Sequence, residues 1–324
     1  MFSPSARWQD LQIKGYAVVP SFLDAPEISR LIEQFEKAQQ RPRKNLNFET
    51  PFLPYGRLKP FTNKLLAAAR AASSSTQIYD RLGMGIFYAT KLYGKRKALT
   101  SDWNWHTDTT IHYVDPNYLN FWIPLVKPDR QRSGLQVVGF DALEARHPEL
   151  AHSLRGQGST RVIQRDGSTI FRDTARRMTI AIADPNLLEG LAQTPTLGPG
   201  DCLVMRNDVF HRTQDNETDR VAISFRVFGS TTVVSRQALM DMSSAKFNNM
   251  ARVRSAFARR FAAFQIAGCD QISNVLYDTL HGELTKREYN LQLARGDTEL
   301  DDIDFEQLVY ELAQEYRGGA FRGG

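Results

Sequence analysis

The residues of this chain best suited to chemistry are His106 and Asp108, a His-x-Asp pair, and His211, at the end of an apolar run. Two imidazoles and one carboxylate make the ligand set that covers one face of an octahedral iron(II) and leaves the other positions open for a co-substrate and O2. In extended backbone, residues i and i+2 point to one side, so an extended stretch over 103–108 projects His106 and Asp108 together. The third residue lies 103 positions past Asp108 (211 − 108), where a Pro199-Gly200 turn launches a predicted strand that ends at His211. A lone His-x-Asp is more often a surface pair or an acid-oriented histidine. The second histidine, the turn punctuation and a following arginine raise this one above that background.

That arginine opens Arg220-Val221-Ala222-Ile223-Ser224-Phe225-Arg226-Val227-Phe228. Alternation puts Val221, Ile223, Phe225 and Val227 on one face and Arg220, Ala222, Ser224 and Arg226 on the other. A guanidinium held over a small cavity suits a dicarboxylate, which its fork binds bidentately. The plainer alternative is an edge strand with a solvated basic face.

Five segments then fall in a telling order: Gly15-Tyr16-Ala17-Val18-Val19-Pro20-Ser21-Phe22-Leu23-Asp24, Trp105-His106-Thr107-Asp108, Asn120-Phe121-Trp122-Ile123-Pro124-Leu125, Ser133-Gly134-Leu135-Gln136-Val137-Val138, and Pro199-Gly200-Asp201 with His211 through Asn216. Together, from about residue 14 to about residue 230, they resemble the phytanoyl-CoA dioxygenase family of iron(II)- and 2-oxoglutarate-dependent oxygenases. One departure is Gly139-Phe140-Asp141, which stands where the family usually continues into Pro-Gly-Ser-His.

The resemblance implies that His106, Asp108 and His211 ligate iron and that Arg220 grips the far carboxylate of 2-oxoglutarate. It further implies a co-substrate hydroxyl at Thr213, a flanking ring at Trp122, and another contact at Lys91 on a strand over 85–91. Arg220 follows His211 by nine positions (220 − 211), two short of the family's usual spacing, which implies a shorter loop at 216–219. Arg226, at fifteen (226 − 211), fits a related branch, so the two arginines stand as alternatives.

The implied fold is mainly β with flanking helices, a double-stranded β-helix of the jelly-roll, cupin-like kind. A single domain over 1–324 is expected, with a jelly-roll core at about 80–230, helical support at 1–79 and a helical extension at 231–317. The implied activity is oxidation of a C–H bond in a small organic substrate, by hydroxylation or otherwise, with Fe(II), 2-oxoglutarate and O2. A natural-product tailoring step is the favoured setting. Halide-transferring relatives have Gly or Ala in place of the acid; the Asp108 carboxylate fills the position a chloride needs. Rival readings are a non-redox metalloenzyme such as a hydrolase or isomerase, and a metal- or metabolite-binding protein on the same barrel.

Composition narrows the classes. With 41 basic against 36 acidic residues and a net charge of +5, the surface is mixed, which disfavours a nucleic-acid partner, a nucleic-acid demethylase included. Two cysteines, Cys202 and Cys269, point to a reducing, cytoplasmic setting. No apolar leader and no uncharged apolar stretch of 18 residues is present, so neither secretion nor a membrane span is expected.

Around the core, Asp24 with Glu27 forms a capping box ahead of the stripe Ile28, Leu31, Ile32 and Phe35. Residues 41–60, with four prolines, read as an irregular loop that offers Phe52, Tyr55 and Arg57 for substrate contact. His112, four residues past Asp108, is a further substrate candidate. The arginine-rich stretch 140–196 reads as a lid or, with its interspersed acids, as a solvated basic face. Met250, Val253, Phe257, Phe261 and Phe264 predict a helix, and Phe305, Leu308, Val309, Leu312 and Tyr316 a last one, with 318–324 frayed. These C-terminal helices offer a face for a homodimer.

Overall fold

Two strands buried on both faces build the central sheet. β4 (Tyr118–Val126) and β11 (Val221–Phe228) pair antiparallel, with Ser224 opposite Trp122 and Arg226 opposite Asn120. The structure, a computed structural model, describes residues 6–39, 52–53, 55–74, 78–89, 105–108, 118–132, 134–154, 159–163, 169–173, 179–182, 186–214, 218–229, 233–237, 254–273, 276–277, 279–280, 283–284 and 305–320. β1 (Tyr16–Val19), β2 (Phe52–Leu53), β3 (Arg81–Ala89) and β9 (Cys202–Arg206) complete a six-stranded sheet in the order β1-β9-β4-β11-β3-β2. β11 is therefore central, and the solvated edge strand is not what forms. Pro124, which cannot donate to a ladder, sits where the β4–β11 register slips opposite Val221 and Ala222.

A smaller sheet pairs β5 (Leu135–Val138) with β10 (Phe210–Thr213), His211 lying opposite Val137. Single bridges widen it on both sides, His106 to His211 and Gln193 to Val137. Tyr16, Trp122, Leu203, Met205 and Ala222 from the large sheet meet Leu135 and Val137 from the small one in a shared buried core. The two sheets thus close on each other as a jelly roll of antiparallel strands, the double-stranded β-helix that the family resemblance implies.

The outer face of the large sheet, with Phe121, Ile123, Val204, Ile223 and Phe225, packs on helices α1 (Ala6–Lys14), α2 (Ala25–Gln39) and α3 (Tyr55–Ala72). α2 starts with the expected capping box: Glu27 N donates to Asp24 Oδ1 at 2.8 Å and Asp24 N to Glu27 Oε2 at 2.9 Å. The irregular loop over 41–60 is corrected at its end, since 55–60 are the first turns of α3 despite Pro60. Leu58, Phe61, Leu65, Ala69 and Ala72 step at three and four and bury one face, which outweighs the bond that Pro60 forgoes.

The small sheet's outer face is covered by α4 (Phe140–Arg146), α5 (Pro148–Leu154) and α6 (Leu187–Leu191), through a cluster of Trp105, Val138, Leu143, Leu150, Leu187, Leu188 and Phe210. Between α5 and α6 lies a three-stranded antiparallel sheet of β6 (Ser159–Ile163), β7 (Thr169–Asp173) and β8 (Thr179–Ile182).

The single strand expected to end at His211 is two strands in two sheets. Asn207 and Asp208 form a turn, in which Val209 N donates to Arg206 O at 3.2 Å and the Arg206 guanidinium grips Asp208 at 2.7 and 3.0 Å. The chain crosses there from the large sheet to the small one. Gly15 makes this crossing possible: its φ is 81°, and a Cβ would fall 2.6 Å from Val209 Cγ2 and 2.4 Å from Phe140.

The chain divides into two compact units, Met1–Thr110 with Pro116–Gly229, and Ile111–Asp115 with Ser230–Gly324. In the second unit β12 (Val233–Ser235) pairs with β13 (Gln271–Ser273), and α7 (Arg254–Ala267) packs with α8 (Phe305–Ala320). Over 258–264 the buried residues of α7 are Ala258, Ala262, Ala263 and Phe264, with Phe261 partly covered; Met250 and Val253 of the predicted stripe lie outside the described residues. α8 runs on to Ala320, so 318–320 are helical where fraying was expected. Among the described residues no helix is long and apolar enough to cross a membrane.

Candidate metal centre

Each of the three candidate ligands reaches the barrel interior by a different local device. His211 is the second residue of β10, pointing inward while Phe210 and Arg212 point out. His106 sits beside it through two backbone bonds, His106 N to His211 O at 3.1 Å and His211 N to His106 O at 2.9 Å. The extended stretch predicted over 103–108 is thus one bridge at His106, with residues 103 and 104 outside the described residues. Asp108, two residues on, is held from the opposite wall. Asn120 Nδ2 donates to its Oδ2 at 2.7 Å and Arg226 Nη2 at 3.1 Å, while Tyr118 OH donates to its backbone oxygen.

These bonds divide the carboxylate's labour. Oδ2 is occupied by Asn120 and Arg226, and Oδ1 lies 3.8 Å from His106 Nε2 and 3.7 Å from His211 Nε2. The imidazole centroids are 4.4 Å apart and tilted by 50°. His211 Nδ1 lies 3.0 Å from Val209 O, which places its proton there and leaves the Nε2 lone pair facing the other two donors. One donor atom from each residue lies within 4.8 Å of the others, a group that could hold a metal ion. Two neutral nitrogens and one anionic oxygen are a donor set that suits a divalent first-row metal.

A network on β4, β11 and β3 surrounds the acid. Ser224 Oγ donates to Asn120 Oδ1, which turns the amide so that its Nδ2 faces Asp108. Arg226 also donates to Tyr118 OH, and its guanidinium lies over that ring at 5.2 Å. Burial alone would loosen the proton on Arg226, but the charge of Asp108, aided by Tyr118 and Tyr88, outweighs it and holds the guanidinium above the ordinary arginine range. Burial pushes the phenol of Tyr88 up, against the pull of Arg226.

Arg220 is 1% exposed and stacks at 5.4 Å over Trp122, so both candidates for the co-substrate pocket lie on the barrel's inner face. Thr213 is two residues past His211 on the same side of β10 and is half-buried. Arg57 is exposed on α3, where its charge acts on Glu33. Phe52 pairs through its backbone with Ile86 and Tyr55 opens α3. Lys91 and His112 lie outside the described residues.

Sequence reasoning missed Asn120, Ser224, Tyr118 and Tyr88 as site residues. Asn120 had a visible signal, an amide within the apolar run of β4, and Ser224 shares the inner face already assigned to Arg220 and Arg226.

A jelly roll that converges two histidines and an aspartate inside its barrel is the architecture of a cupin-like metalloenzyme. Residues 11–224 match the phytanoyl-CoA dioxygenase (PhyH) family, well over half of the chain, and this protein belongs to that family. Among curated proteins no sequence relative is found. Among solved structures, SnoN, the non-heme alpha ketoglutarate dependent epimerase from nogalamycin biosynthesis, is similar at 14% identity and a TM-score of 0.50, over 72% of this chain and 84% of that one. A second SnoN structure, in complex with Fe3+, alpha ketoglutarate and nogalamycin RO, gives 13% identity and 0.50 over 72% and 86%. At these identities the likeness is one of fold.

Proposed function

We propose that this protein is an iron(II)- and 2-oxoglutarate-dependent oxygenase that oxidises a C–H bond of a small organic molecule, with His106, Asp108 and His211 as the metal ligands. The observation that carries the reading is the shared orientation of His106 Nε2, His211 Nε2 and Asp108 Oδ1, with Oδ2 held away by Asn120 and Arg226. When bound, iron(II) with its 2-oxo acid chelator would supply O2 activation, O2 being the four-electron oxidant that takes two electrons from the 2-oxo acid, released as succinate and CO2, and two from the substrate C–H bond.

The protein's own residues do the rest. Asp108 presents one oxygen to the metal, and Arg226 balances the charge on the other. The tautomer of His211, fixed by Val209 O, keeps its Nε2 available without a proton to remove. Arg220, buried on the inner face and stacked over Trp122, anchors the far carboxylate of 2-oxoglutarate, while Arg226 serves Asp108 and Tyr118. Ala222, between Arg220 and Ser224 on the same face, keeps that wall low enough for the chelator. Trp122, beneath Arg220, and Thr213 complete the pocket, and the apolar core behind Trp122 excludes water.

Incubation with iron(II), ascorbate, 2-oxoglutarate and O2 tests this reading. Slow succinate release is expected even without the organic substrate, and none from Asp108→Ala. Wild-type protein that binds metal yet never consumes 2-oxoglutarate would favour the hydrolytic or isomerising alternative.

A further inference from the structure

Outside the barrel, behind the two histidines, one acid joins the residues next to both. Trp105, fully buried, precedes His106, and Arg212 follows His211. Trp105 Nε1 donates to Glu189 Oε1 at 3.1 Å, and Arg212 Nη1 donates to the same oxygen at 3.1 Å. The Arg212 guanidinium stacks at 4.6 Å over the Trp105 ring, and its Nε donates to Gln136 Oε1 at 2.8 Å across the β5–β10 pair. Glu189 is half-buried on α6, whose Leu187 and Leu188 are packed into the cluster that contains Trp105 and Phe210.

This matters because, among the described residues, His106 meets β10 through an isolated bridge. A full ladder fixes the twist and spacing of two strands through successive pairs, whereas one pair leaves a hinge about itself. Glu189 supplies a further point of attachment, on the far side of the backbone from the imidazoles.

We propose that Glu189 is a positioning residue for the metal centre, a shared acceptor that locks the Trp105–His106 segment against β10 through Trp105 and Arg212 and so sets the separation of the two histidine Nε2 atoms. The inference rests on the metal-centre reading above. Its energetic setting is a charge-assisted bond to Arg212, partly shielded from water, and an indole bond whose donor is buried.

Cobalt(II) titration, read by dissociation constant and visible d–d spectrum, separates the two ideas. Wild type should bind one cobalt tightly and Asp108→Ala should not; wild type that binds none overturns both the metal centre and the brace. Glu189→Ala should weaken cobalt about tenfold, the lower range for residues that orient metal ligands, and shift the d–d band, with metal-free melting little changed. Glu189→Gln, which keeps an acceptor oxygen, should recover part of the affinity. Wild-type affinity and spectrum in Glu189→Ala overturn the brace while leaving the metal centre standing, as does Glu189→Gln behaving no better than Glu189→Ala. If Glu189→Ala does not fold, Arg212→Met decides: weakened cobalt binding supports the brace and unchanged binding overturns it.

Discussion

The two walls of the barrel position their share of the site by opposite means. The large-sheet wall holds an anion: Asn120, Ser224, Tyr118 and Arg226 surround Asp108 with donors, and nearly every side chain in that network is buried. The small-sheet wall sets two imidazoles through backbone groups, the His106–His211 bridge and the Val209 oxygen that meets His211 Nδ1, and backs them with an apolar cluster. A buried carboxylate must be compensated or it will not stay ionised, whereas an imidazole needs only its tautomer and direction set. The long central strands, with partners on both sides, are the natural place for the compensating charges.

That contrast can be broken at several points. Asp108→Ala or His211→Ala removes a ligand, and metal affinity measured by calorimetry should fall by more than about 100-fold, beyond the 10- to 100-fold typical of residues that only orient ligands. Arg226→Met leaves Asp108 as a partly buried charge without its cation. Chemical denaturation of the metal-free protein should show a loss of about 3 kcal/mol or more, and saturating metal should restore part of it by taking over the compensation. Arg220→Met should leave metal affinity unchanged yet raise the 2-oxoglutarate requirement on the order of 10- to 100-fold, as expected for one charge-assisted bidentate contact. If Arg226→Met produces that phenotype and Arg220→Met does not, the two arginines have been assigned the wrong way round.

Smaller effects test the edges of the comparison. Asn120→Ala removes the 2.7 Å bond to Oδ2 and should weaken metal binding about tenfold. The two thiols differ more simply: Cys202 is buried in β9 and burial pushes its pKa well up, while Cys269 is exposed. A thiol reagent at neutral pH should label Cys269 in the native protein and reach Cys202 only after unfolding.

Much of this was legible along the chain because its local rules agree. Period two in β11 assigned both of its faces, and the Asp24–Glu27 capping box marked the start of α2. The family motifs singled out the two histidines and the aspartate that the structure brings together. What failed was whatever depends on which strand pairs with which. An apolar run from Cys202 to His211 looks continuous until Asp208 captures Arg206 and turns the chain into the other sheet. Pro60 looks like a breaker because the buried stripe of α3 is only meaningful against a sheet made from distant residues. The link from Glu189 to Trp105 spans 84 positions, and no local spacing encodes it.

The central claim is a metal held by His106, Asp108 and His211 with positions left for a chelating 2-oxo acid. Anaerobic titration of iron(II) and 2-oxoglutarate, followed by visible absorption, tests it most directly. A weak charge-transfer band should appear only when both are present, and should be absent in Asp108→Ala. No band in the wild type, or an undiminished band in Asp108→Ala, would contradict it.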